Sequence, residues 1–371
     1  MRFLHAADIH LGRAYKRLPP EAAEVCRSDL REAFRHLVAL ALARDVDAIL
    51  LAGDLFDEPL PGQDLVRFVR YQLEMSVAGR AEIYSVTGNH DPGVPGSPYG
   101  SGGLGPVTTL ATPSWERREI LGGRCVLWSI GYDWGNESRR VLQELSHRIG
   151  PADVPQVVLV HADYDGGGGA QHYMPFSREE AESLPVSYIA TGHVHARETP
   201  VSRPPTCYPG PIEFISFKSQ AEQYGCLMVE IASDGRTEVE FAPLSTTRVC
   251  RIEVDLTGMY TPEAVREALA QRVRPDQIAH VRLVGLRELS PSMDAGRLAA
   301  ELSDVCLATV VDDRTRGDLD LEATPGTVKD EFIRRVRQRL AELPEGADED
   351  AARELQLVMA YGVAALDGVR L

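Results

Sequence analysis

The sequence AILLAGDLFD, residues 48–57, joins an apolar run that is typical of a buried strand to a polar cluster that starts at a Gly-Asp pair. The same combination recurs along the chain. Four further apolar runs lead into polar clusters: residues 2–7 before Asp8-Ile9-His10, 82–86 before Gly88-Asn89-His90-Asp91, 156–160 before His161, and 186–190 before Gly192-His193-Val194-His195. Loops that follow successive strands of an open α/β sheet meet at one edge, where such sheets bind ligands. The sequence therefore predicts a single site at one edge of a sheet.

The polar clusters together supply carboxylate, amide and imidazole groups. This mixed set of oxygen and nitrogen donors suits borderline divalent ions such as Mn, Fe, Co or Zn. The strongest cluster is the last, because His193 and His195 lie two residues apart on an extended segment and so point the same way. A lone histidine at a strand end, such as His161, is by itself more often a core residue. Five such clusters in this order are improbable by chance, and together they predict a site for two metal ions.

This order of clusters resembles the calcineurin-like metallophosphoesterases, and within them the SbcD-type DNA double-strand-break repair exonucleases, which are nuclease partners of an SMC-like ATPase. The motifs that carry the resemblance lie within residues 1–245. The resemblance implies an α/β fold, a two-sheet sandwich flanked by helices. It also implies seven metal ligands: Asp8, His10 and His195 for the first ion, Asn89, His161 and His193 for the second, and Asp54 as a bridge between them.

The resemblance implies a two-metal hydrolysis in which Mn²⁺ is the leading choice of ion and Fe, Co or Zn are alternatives. Such a pair supplies hydroxide for in-line attack on phosphorus. The resemblance assigns His90 to the leaving oxygen of the scissile phosphate. A histidine in this role needs its other ring nitrogen held by an acceptor. Asp57 matches the carboxylate that does this in related phosphatases, and Asp91 is the alternative.

Basic residues and glycine-rich segments near the clusters are candidates for substrate contacts. Arg13, Lys16 and Arg17 follow the first cluster and are placed to meet phosphate oxygens, although a solvated charged loop is the alternative. Residues 92–105 directly follow the cluster that contains His90, and residues 166–173 come soon after His161. We expect both segments to frame the substrate; for the second, a plain flexible loop is the alternative.

The composition is that of a globular protein with two domains and a tail, since the chain has 371 residues of which 44% are hydrophobic and 25% charged. No apolar stretch approaches the length of about 18 residues that a membrane span needs. The predicted strand at residues 2–7 places Asp8 too early for a signal peptide, so we expect none. Six scattered cysteines are typical of reduced thiols, so we expect a cytoplasmic protein. The net charge of −16 predicts weak non-specific affinity for duplex DNA. Either a partner holds the duplex or the substrate is smaller.

Residues 1–245 form the predicted metallophosphoesterase domain. The clearest helix covers residues 27–44, where Leu30, Phe34 and Leu37 share one face at helical spacing, and residues 65–75 form another. A second domain is predicted over residues 246–324, with strands at 248–256, 278–286 and 305–312 and helices at 261–272 and 293–303. It matches the small α/β capping domain of SbcD-like proteins, whose role is to help position DNA. An accessory domain without DNA contact is the alternative.

The tail, residues 325–371, contains two amphipathic helices that flank an acidic turn at residues 345–350. Their apolar stripes are Phe332, Ile333, Val336, Leu340 and Leu343 on the first, and Leu355, Val358, Met359, Gly362, Val363 and Leu366 on the second. The resemblance implies that these helices dock on the coiled-coil base of an SbcC-type ATPase. The alternative is that both stripes pack on this chain or on each other. SbcD-like proteins generally dimerise, so a homodimer is a further expectation.

The leading hypothesis is a dinuclear phosphodiesterase that acts on DNA ends as the nuclease subunit of a repair complex. The chain has no Gly-x-x-x-x-Gly-Lys-[Ser/Thr] motif, so any ATP-driven step must come from a partner. A phosphodiesterase or phosphatase of nucleotides or small phosphoesters is the second hypothesis, and the acidic charge favours it. A non-catalytic scaffold of the same fold is the third, but the complete ligand set and His90 argue against it.

Overall fold

The computed structural model describes residues 1–77, 80–100, 102–135, 138–165, 173–219, 221–256, 261–288, 305–318, 323–343 and 349–366. The chain divides into two compact units. The first comprises Met1–Lys16 and Ala23–Thr247, and the second comprises Arg17–Ala22 and Arg248–Leu371.

The strands, in chain order, are β1 (Arg2–Ala6), β2 (Ala48–Ala52), β3 (Glu82–Val86), β4 (Thr108–Leu110), β5 (Glu116–Ile120), β6 (Cys125–Ile130), β7 (Gln156–His161), β8 (Tyr188–Gly192), β9 (Glu198–Ser202), β10 (Pro205–Tyr208), β11 (Gln223–Ile231), β12 (Thr237–Thr246), β13 (Val249–Asp255), β14 (Ile278–Val284), β15 (Leu286–Glu288), β16 (Ala308–Asp313) and β17 (Arg316–Asp318). The helices in the described part of the chain are α1 (Pro20–Ala43), α2 (Gln63–Val77), α3 (Val141–Ser146), α4 (Arg178–Glu182), α5 (Pro262–Ala270), α6 (Val328–Ala341) and α7 (Glu349–Leu366).

The first unit contains two mixed six-stranded sheets, ordered β12-β11-β1-β2-β3-β4 and β5-β6-β7-β8-β10-β9. Strands β1 to β4 are mutually parallel, as are β6, β7, β8 and β10, while the strands at the other positions pair antiparallel. The α/β two-sheet sandwich flanked by helices is thus confirmed. Its five motif-bearing strands match the predicted runs closely. The largest difference is β8, which begins at Tyr188 rather than at residue 186 and ends at Gly192.

The apolar runs of the sequence are continuous because these strands are buried on both faces. On β1, Phe3 joins a cluster between the two sheets and the next residue, Leu4, joins a cluster under the helices. On β2, Leu50 faces the space between the sheets and Ile49 faces the helices. Helix α1 covers the outer face with residues that include Phe34. It begins at Pro20 rather than at residue 27, and proline is favoured at the first helical position.

In each of the two sheets, the parallel arrangement brings the carboxyl ends of the motif-bearing strands to one edge of that sheet. Within the first sheet, Ala6 pairs with Leu51 and Ala52 pairs with Val86, so the segments that follow β1, β2 and β3 leave the sheet side by side. In the second sheet, His161 itself pairs with Gly192 at the ends of β7 and β8. All five polar clusters therefore lie at the edge formed by the carboxyl ends of the parallel strands in their sheet.

The second unit contains a three-stranded, fully parallel sheet ordered β13-β14-β16 and a two-stranded pair of β15 and β17. Helix α5 begins as the sequence predicts, because the Thr261 hydroxyl accepts a hydrogen bond from the Ala264 amide at 3.3 Å. Val265 and Leu269 of α5 pack with Val281 of β14. The helix that we expect at residues 293–303 lies outside the described residues.

Helices α6 and α7 pack against each other. Ile333 and Val336 of α6 form a buried cluster with Met359 and Val363 of α7. The approach is close at Gly362, where a Cβ atom would lie 2.0 Å from the Phe332 ring. The two apolar stripes thus contact each other, which is the arrangement that we gave as the alternative to docking on a partner. Of the predicted acidic turn, residues 345–348 lie outside the described residues and the last two residues belong to α7.

Within the described residues, no helix combines the length and the apolar character that crossing a bilayer requires.

Candidate metal centre

The backbone of the candidate ligands is unusual. Asp8, His10 and Asp54 have φ angles of 52°, 51° and 51°, and His193 has a φ angle of 106°. Residues other than glycine rarely adopt these left-handed conformations, which cost of order 1–3 kcal/mol each and cluster at functional sites. Three of these residues follow strands of the first sheet and His193 follows β8 of the second, so their concentration at the carboxyl ends of these strands is independent support for a site there.

The glycines that precede the candidate ligands have no space for a side chain. A Cβ atom at Gly53 would lie 2.5 Å from His161 Nδ1, and one at Gly88 would lie 2.1 Å from Asp54 Oδ1. At Gly192 it would lie 2.0 Å from the Ala52 carbonyl oxygen. Each glycine therefore permits one ligand loop to pack directly against another. This packing is the physical reason for the recurring Gly-Asp, Gly-Asn and Gly-His pairs.

One group of ligand atoms comes from Asp8, His10, Asp54 and His195, whose donor atoms all lie within 4.8 Å of one another. His10 Nε2 lies 3.1 Å from His195 Nε2 and 3.6 Å from Asp54 Oδ2. His10 Nδ1 donates to Asp57 Oδ1 at 3.1 Å, so in the neutral ring Nε2 carries a lone pair. That lone pair faces the Asp54 carboxylate, which is itself an acceptor, and a cation between the two would stabilise this arrangement.

A second group forms around Asn89. Its Oδ1 lies 3.0 Å from His161 Nε2 and 3.0 Å from His193 Nδ1. His161 Nδ1 donates to the Ala52 carbonyl at 2.9 Å, so its Nε2 also presents a lone pair. The same Nε2 atom lies 3.5 Å from Asp54 Oδ2. One oxygen of Asp54 is therefore close to both groups, which is the position that a bridging carboxylate would take.

The residues present fit divalent metal ions. Lone pairs of nitrogen and oxygen face one another in both groups, and the donor set is the mixed one that Mn, Fe, Co or Zn accepts. Two neighbouring dications also need a shared anion to offset their repulsion, and Asp54 is buried between the groups. The Asp8 carboxylate accepts the backbone N–H of His193 at 2.9 Å, which fixes the last ligand loop beside the first.

Burial sets the protonation of the histidines. It lowers the pKa of His193 and of His195 to about 3, and it lowers the pKa of His161 although the Asp54 charge opposes this. These imidazoles are therefore neutral near pH 7, as a metal ligand must be. Burial together with the Asp54 charge raises the pKa of Asp8 well above its usual range. A cation at the centre would keep that carboxylate ionised.

Asp54 itself is held in the charged form. Burial raises its pKa, but the neighbouring His161 and His10 outweigh burial and lower the pKa below its usual value. The buried Asp54 carboxylate thus places negative charge between the two groups of ligand atoms.

His90 lies beside this centre and is partly accessible, with 38% of its side chain exposed. Its ring packs edge-on against His10, with 4.6 Å between the ring centroids. His90 Nδ1 lies 3.2 Å from the backbone carbonyl of Asp57 and 3.8 Å from the Asp57 carboxylate. The hydrogen-bond acceptor of His90 Nδ1 in the structure is thus the Asp57 backbone carbonyl, and the Asp57 carboxylate lies beside it.

The Asp57 carboxylate contacts His10 and Arg13 instead. Arg13 donates to Asp57 Oδ1 at 2.7 Å and to the Ile215 carbonyl at 2.7 Å. Burial opposes the charge on Asp57, but the bonds from His10 and Arg13 lower its pKa overall. A carboxylate that accepts a hydrogen bond from a ligand histidine fixes the orientation of that ring.

Asp91, the alternative partner for His90, is used elsewhere. Its carboxylate is buried and accepts backbone N–H groups of Asp54, Phe56 and Gly88 at 3.2, 3.0 and 2.9 Å. Burial and the Asp54 charge raise its pKa to about 7. No hydrogen bond in the described residues joins this carboxylate to the His90 ring.

The predicted phosphate contacts differ in placement. Arg13 is at the centre, as just described. Lys16 is exposed, and Arg17 is exposed and belongs to the second unit. Of the two glycine-rich segments, the described part of residues 92–105 contains three buried side chains, those of Ser97, Tyr99 and Leu104, which are 8%, 7% and 2% exposed. Residues 166–172 lie outside the described residues.

Two aromatic residues at the centre had no assigned role in the sequence. Tyr173 packs on the His193 ring with 4.9 Å between centroids, and Tyr99 contacts the Asp91 carboxylate. A tyrosine within a segment that is otherwise rich in glycine, proline and serine is the signal that could have identified Tyr99.

The model of the calcineurin-like phosphoesterase family matches residues 1–197. The chain is 26% identical to the uncharacterized metallophosphoesterase YhaO of Bacillus subtilis, over 92% of this chain and 78% of that protein. It is 26% identical to the DNA double-strand break repair protein Mre11 of Methanopyrus kandleri, over 91% of this chain and 77% of that protein. For the Mre11 protein of Haloferax volcanii the identity is 27%, over 91% and 74%. Among solved structures, a dimetal phosphatase from Danio rerio matches 66% of this chain and 97% of its own, with 13% identity and a TM-score of 0.40.

Proposed function

Because the chain belongs to the calcineurin-like phosphoesterase family, we propose that it is a two-metal phosphodiesterase that hydrolyses DNA. The observation that supports the two-metal centre most is the position of Asp54, whose Oδ2 lies 3.6 Å from His10 Nε2 and 3.5 Å from His161 Nε2. In this proposal Asp8, His10 and His195 hold one ion and Asn89, His161 and His193 hold the other. We propose Mn²⁺ as the ion.

The metal pair, when bound, supplies hydroxide for attack on phosphorus and neutralises phosphate oxygens. The proposed role of His90 is to protonate the leaving oxygen. The Asp57 carbonyl accepts a hydrogen bond from His90 Nδ1, so Nδ1 carries the proton of the neutral ring. The Nε2 atom therefore carries a proton only when the ring is charged. Transfer of that Nε2 proton to the leaving oxygen returns a neutral ring that is still held at Nδ1.

The proposed role of Asp57 is to orient His10 rather than His90. Its carboxylate fixes the Nδ1 proton of His10 and thereby turns the Nε2 lone pair toward the metal centre. Arg13 holds Asp57 with one terminal nitrogen and the Ile215 carbonyl with Nε. Its other terminal nitrogen is the group that we propose for phosphate contact, with Lys16 and Arg17 as further candidates.

DNA is the proposed substrate because relatives that cover most of this chain are named DNA double-strand break repair proteins. The net charge of −16 favours a second candidate, a nucleotide or other small phosphoester. The two candidates differ in what the protein needs: duplex DNA requires an additional source of positive charge, whereas a small phosphoester requires only the metal centre.

An SMC-like coiled-coil ATPase of the SbcC type is the proposed partner, since it would hold the duplex that this acidic chain binds weakly. We assign the phosphoesterase to residues 1–245, a capping domain to residues 246–324 and partner docking to residues 325–371. Because Ile333 and Val336 of α6 pack with Met359 and Val363 of α7, docking would use residues of α7 that stay exposed. Val358 of the stripe and Tyr361 are such residues, 45% and 53% exposed.

Release of nucleotides from linear double-stranded DNA in the presence of Mn²⁺ tests the substrate, with the His90→Ala protein as the blank. The same two proteins are assayed with bis(p-nitrophenyl) phosphate. Hydrolysis of both substrates by the wild type, and of neither by the His90→Ala protein, supports the nuclease. Hydrolysis of the small diester without DNA cleavage, even after addition of the ATPase partner, would contradict DNA as substrate and favour the small phosphoester.

A further inference from the structure

The buried Asp91 carboxylate joins two loops that carry candidate metal ligands. It accepts backbone N–H groups from Asp54 and Phe56 on the loop after β2 and from Gly88 on the loop after β3. The two loops are in direct contact here, since the space beside Gly88 is filled by the Asp54 side chain. Any shift of Asp91 would therefore change the position of Asp54 relative to the Asn89-His90 pair.

Tyr99 completes the set of donors around Asp91. Its hydroxyl donates to Asp91 Oδ2 at 2.5 Å, a distance typical of a charge-assisted hydrogen bond. Its ring packs edge-on against Phe56, with 6.5 Å between the centroids, and is 7% exposed. Phe56 is the residue whose N–H shares Oδ2 of Asp91 with Tyr99. Tyr99 thus holds both the carboxylate and the end of the Asp54 loop.

The segment that contains Tyr99 is built from consecutive tight turns. Backbone hydrogen bonds run from the Ser97 N–H to the Val94 carbonyl and from the Gly100 N–H to the Ser97 carbonyl, at 3.0 and 3.1 Å. The Tyr99 ring enters the core from this segment, as does Leu104. A chain of turns rich in glycine has little rigidity of its own. The packing of the Tyr99 ring in the core therefore helps to hold this segment beside the metal centre.

We propose that Tyr99 is a positioning residue for hydrolysis, which acts through Asp91 to fix the spacing between the Asp54 loop and the Asn89-His90 loop. The proposal rests on the proposed two-metal function. It extends that function by making metal affinity and turnover depend on a residue that contacts neither metal nor substrate. Residues that support metal ligands from behind typically contribute a factor of about 10–100 in affinity or activity.

The variant Tyr99→Phe removes the hydroxyl and keeps the ring that packs on Phe56. Tyr84→Phe is the matched control, because Tyr84 is also buried and its hydroxyl donates to a carboxylate, that of Glu82, at 2.5 Å. Glu82 is the first residue of β3 and so lies at the opposite end of the strand from Asn89. Mn²⁺ binding is measured by calorimetry, turnover with bis(p-nitrophenyl) phosphate, and stability by urea denaturation of the metal-free proteins.

We expect Tyr99→Phe to weaken Mn²⁺ binding about 10-fold and to lower kcat by a similar factor at saturating Mn²⁺, with KM for the diester changed less than 3-fold. Tyr84→Phe should bind Mn²⁺ as the wild type does. Two results would overturn the proposal: unchanged Mn²⁺ affinity and kcat in Tyr99→Phe, or equal losses in both variants at equal loss of stability. Calorimetry measures the metal centre without any substrate. A protein that binds Mn²⁺ but cleaves no DNA, even after addition of the ATPase partner, would therefore contradict the proposed substrate and leave this test intact.

A double-mutant cycle with Asp91→Asn tests the route of the effect. If Tyr99 acts through Asp91, the losses of the two single variants are not additive, and the double variant binds Mn²⁺ about as weakly as Asp91→Asn alone. Additive losses would show that Tyr99 acts by another route and would contradict the proposal.

Discussion

The contact between Asp57 and His10 gives the sharpest prediction about the metal centre. Asp57→Asn keeps the size of the side chain but removes the charge that the His10 N–H faces at 3.1 Å. A hydrogen bond to a charged partner contributes about 1.5–3 kcal/mol net, whereas a neutral one contributes about 0.5–1.5 kcal/mol. The difference of about 1–1.5 kcal/mol corresponds to weaker metal binding by about 5- to 12-fold. Calorimetric titration of the metal-free protein with Mn²⁺ measures this loss.

Asp47→Asn is the matched control for this variant. Asp47 also accepts from an arginine side chain, that of Arg124, and from a second donor, the Arg2 backbone N–H, each at 2.8 Å. Its side chain is 27% exposed, against 21% for Asp57. Asp47 precedes β2, whereas the metal centre follows it. Full Mn²⁺ affinity in Asp57→Asn, or an equal loss in Asp47→Asn, would refute the reasoning that Asp57 acts by orienting a ligand.

The remaining predictions concern catalysis, pH and the C-terminal helices. His90→Ala should retain two Mn²⁺ ions by calorimetry and lose hydrolysis by about 10²–10⁴-fold, the usual scale for a positioned acid; loss of an ion instead would make His90 a ligand. Burial lowers the pKa of His5 from 6.5 to about 3, although its bond to the Thr191 carbonyl opposes this. The unfolded chain therefore binds the extra proton first, so stability is full above pH 6.5 and falls as the pH decreases toward 3. At pH 5 the loss is about 2 kcal/mol relative to pH 7. Urea denaturation at both pH values should show this difference in the wild type beyond that of His5→Gln, and equal pH dependence of the two proteins would contradict it. Removal of the residues from Pro325 onward should leave hydrolysis of a small diester intact and abolish co-purification with the ATPase partner; a truncated protein that still binds the partner would exclude docking through α7.

The strands and the order of the ligand clusters could be predicted because each is a local property of the chain. Strands buried on both faces produce uninterrupted apolar runs, as in residues 48–52. The glycine before each ligand is also visible in the sequence, although its cause, contact between loops, is visible only in the structure. Periodicity located α1 but not its start, since the helix continues to Pro20 beyond the clear stripe.

The hydrogen-bond partners of Asp57 and Asp91 could not be predicted, because they depend on distances between residues far apart in the chain. Asp91 is adjacent to His90 in the sequence, and Asp57 was assigned to it through the family resemblance. Nothing in the local sequence shows which of the two carboxylates contacts the His90 ring. In the structure, one carboxylate contacts His10 and the other gathers backbone N–H groups. The same limit applies to α6 and α7, whose stripes suit a partner or each other equally well until their mutual packing is seen.

The bridging role of Asp54 is the central claim, and electron paramagnetic resonance of the Mn²⁺-loaded protein tests it most directly. Two ions that share a carboxylate lie about 3.5–4 Å apart and are spin-coupled. The wild type with two Mn²⁺ per chain should give the spectrum of a coupled pair, and Asp54→Ala should lose it. A wild-type spectrum of isolated ions only, or a coupled pair at full occupancy in Asp54→Ala, would contradict the account.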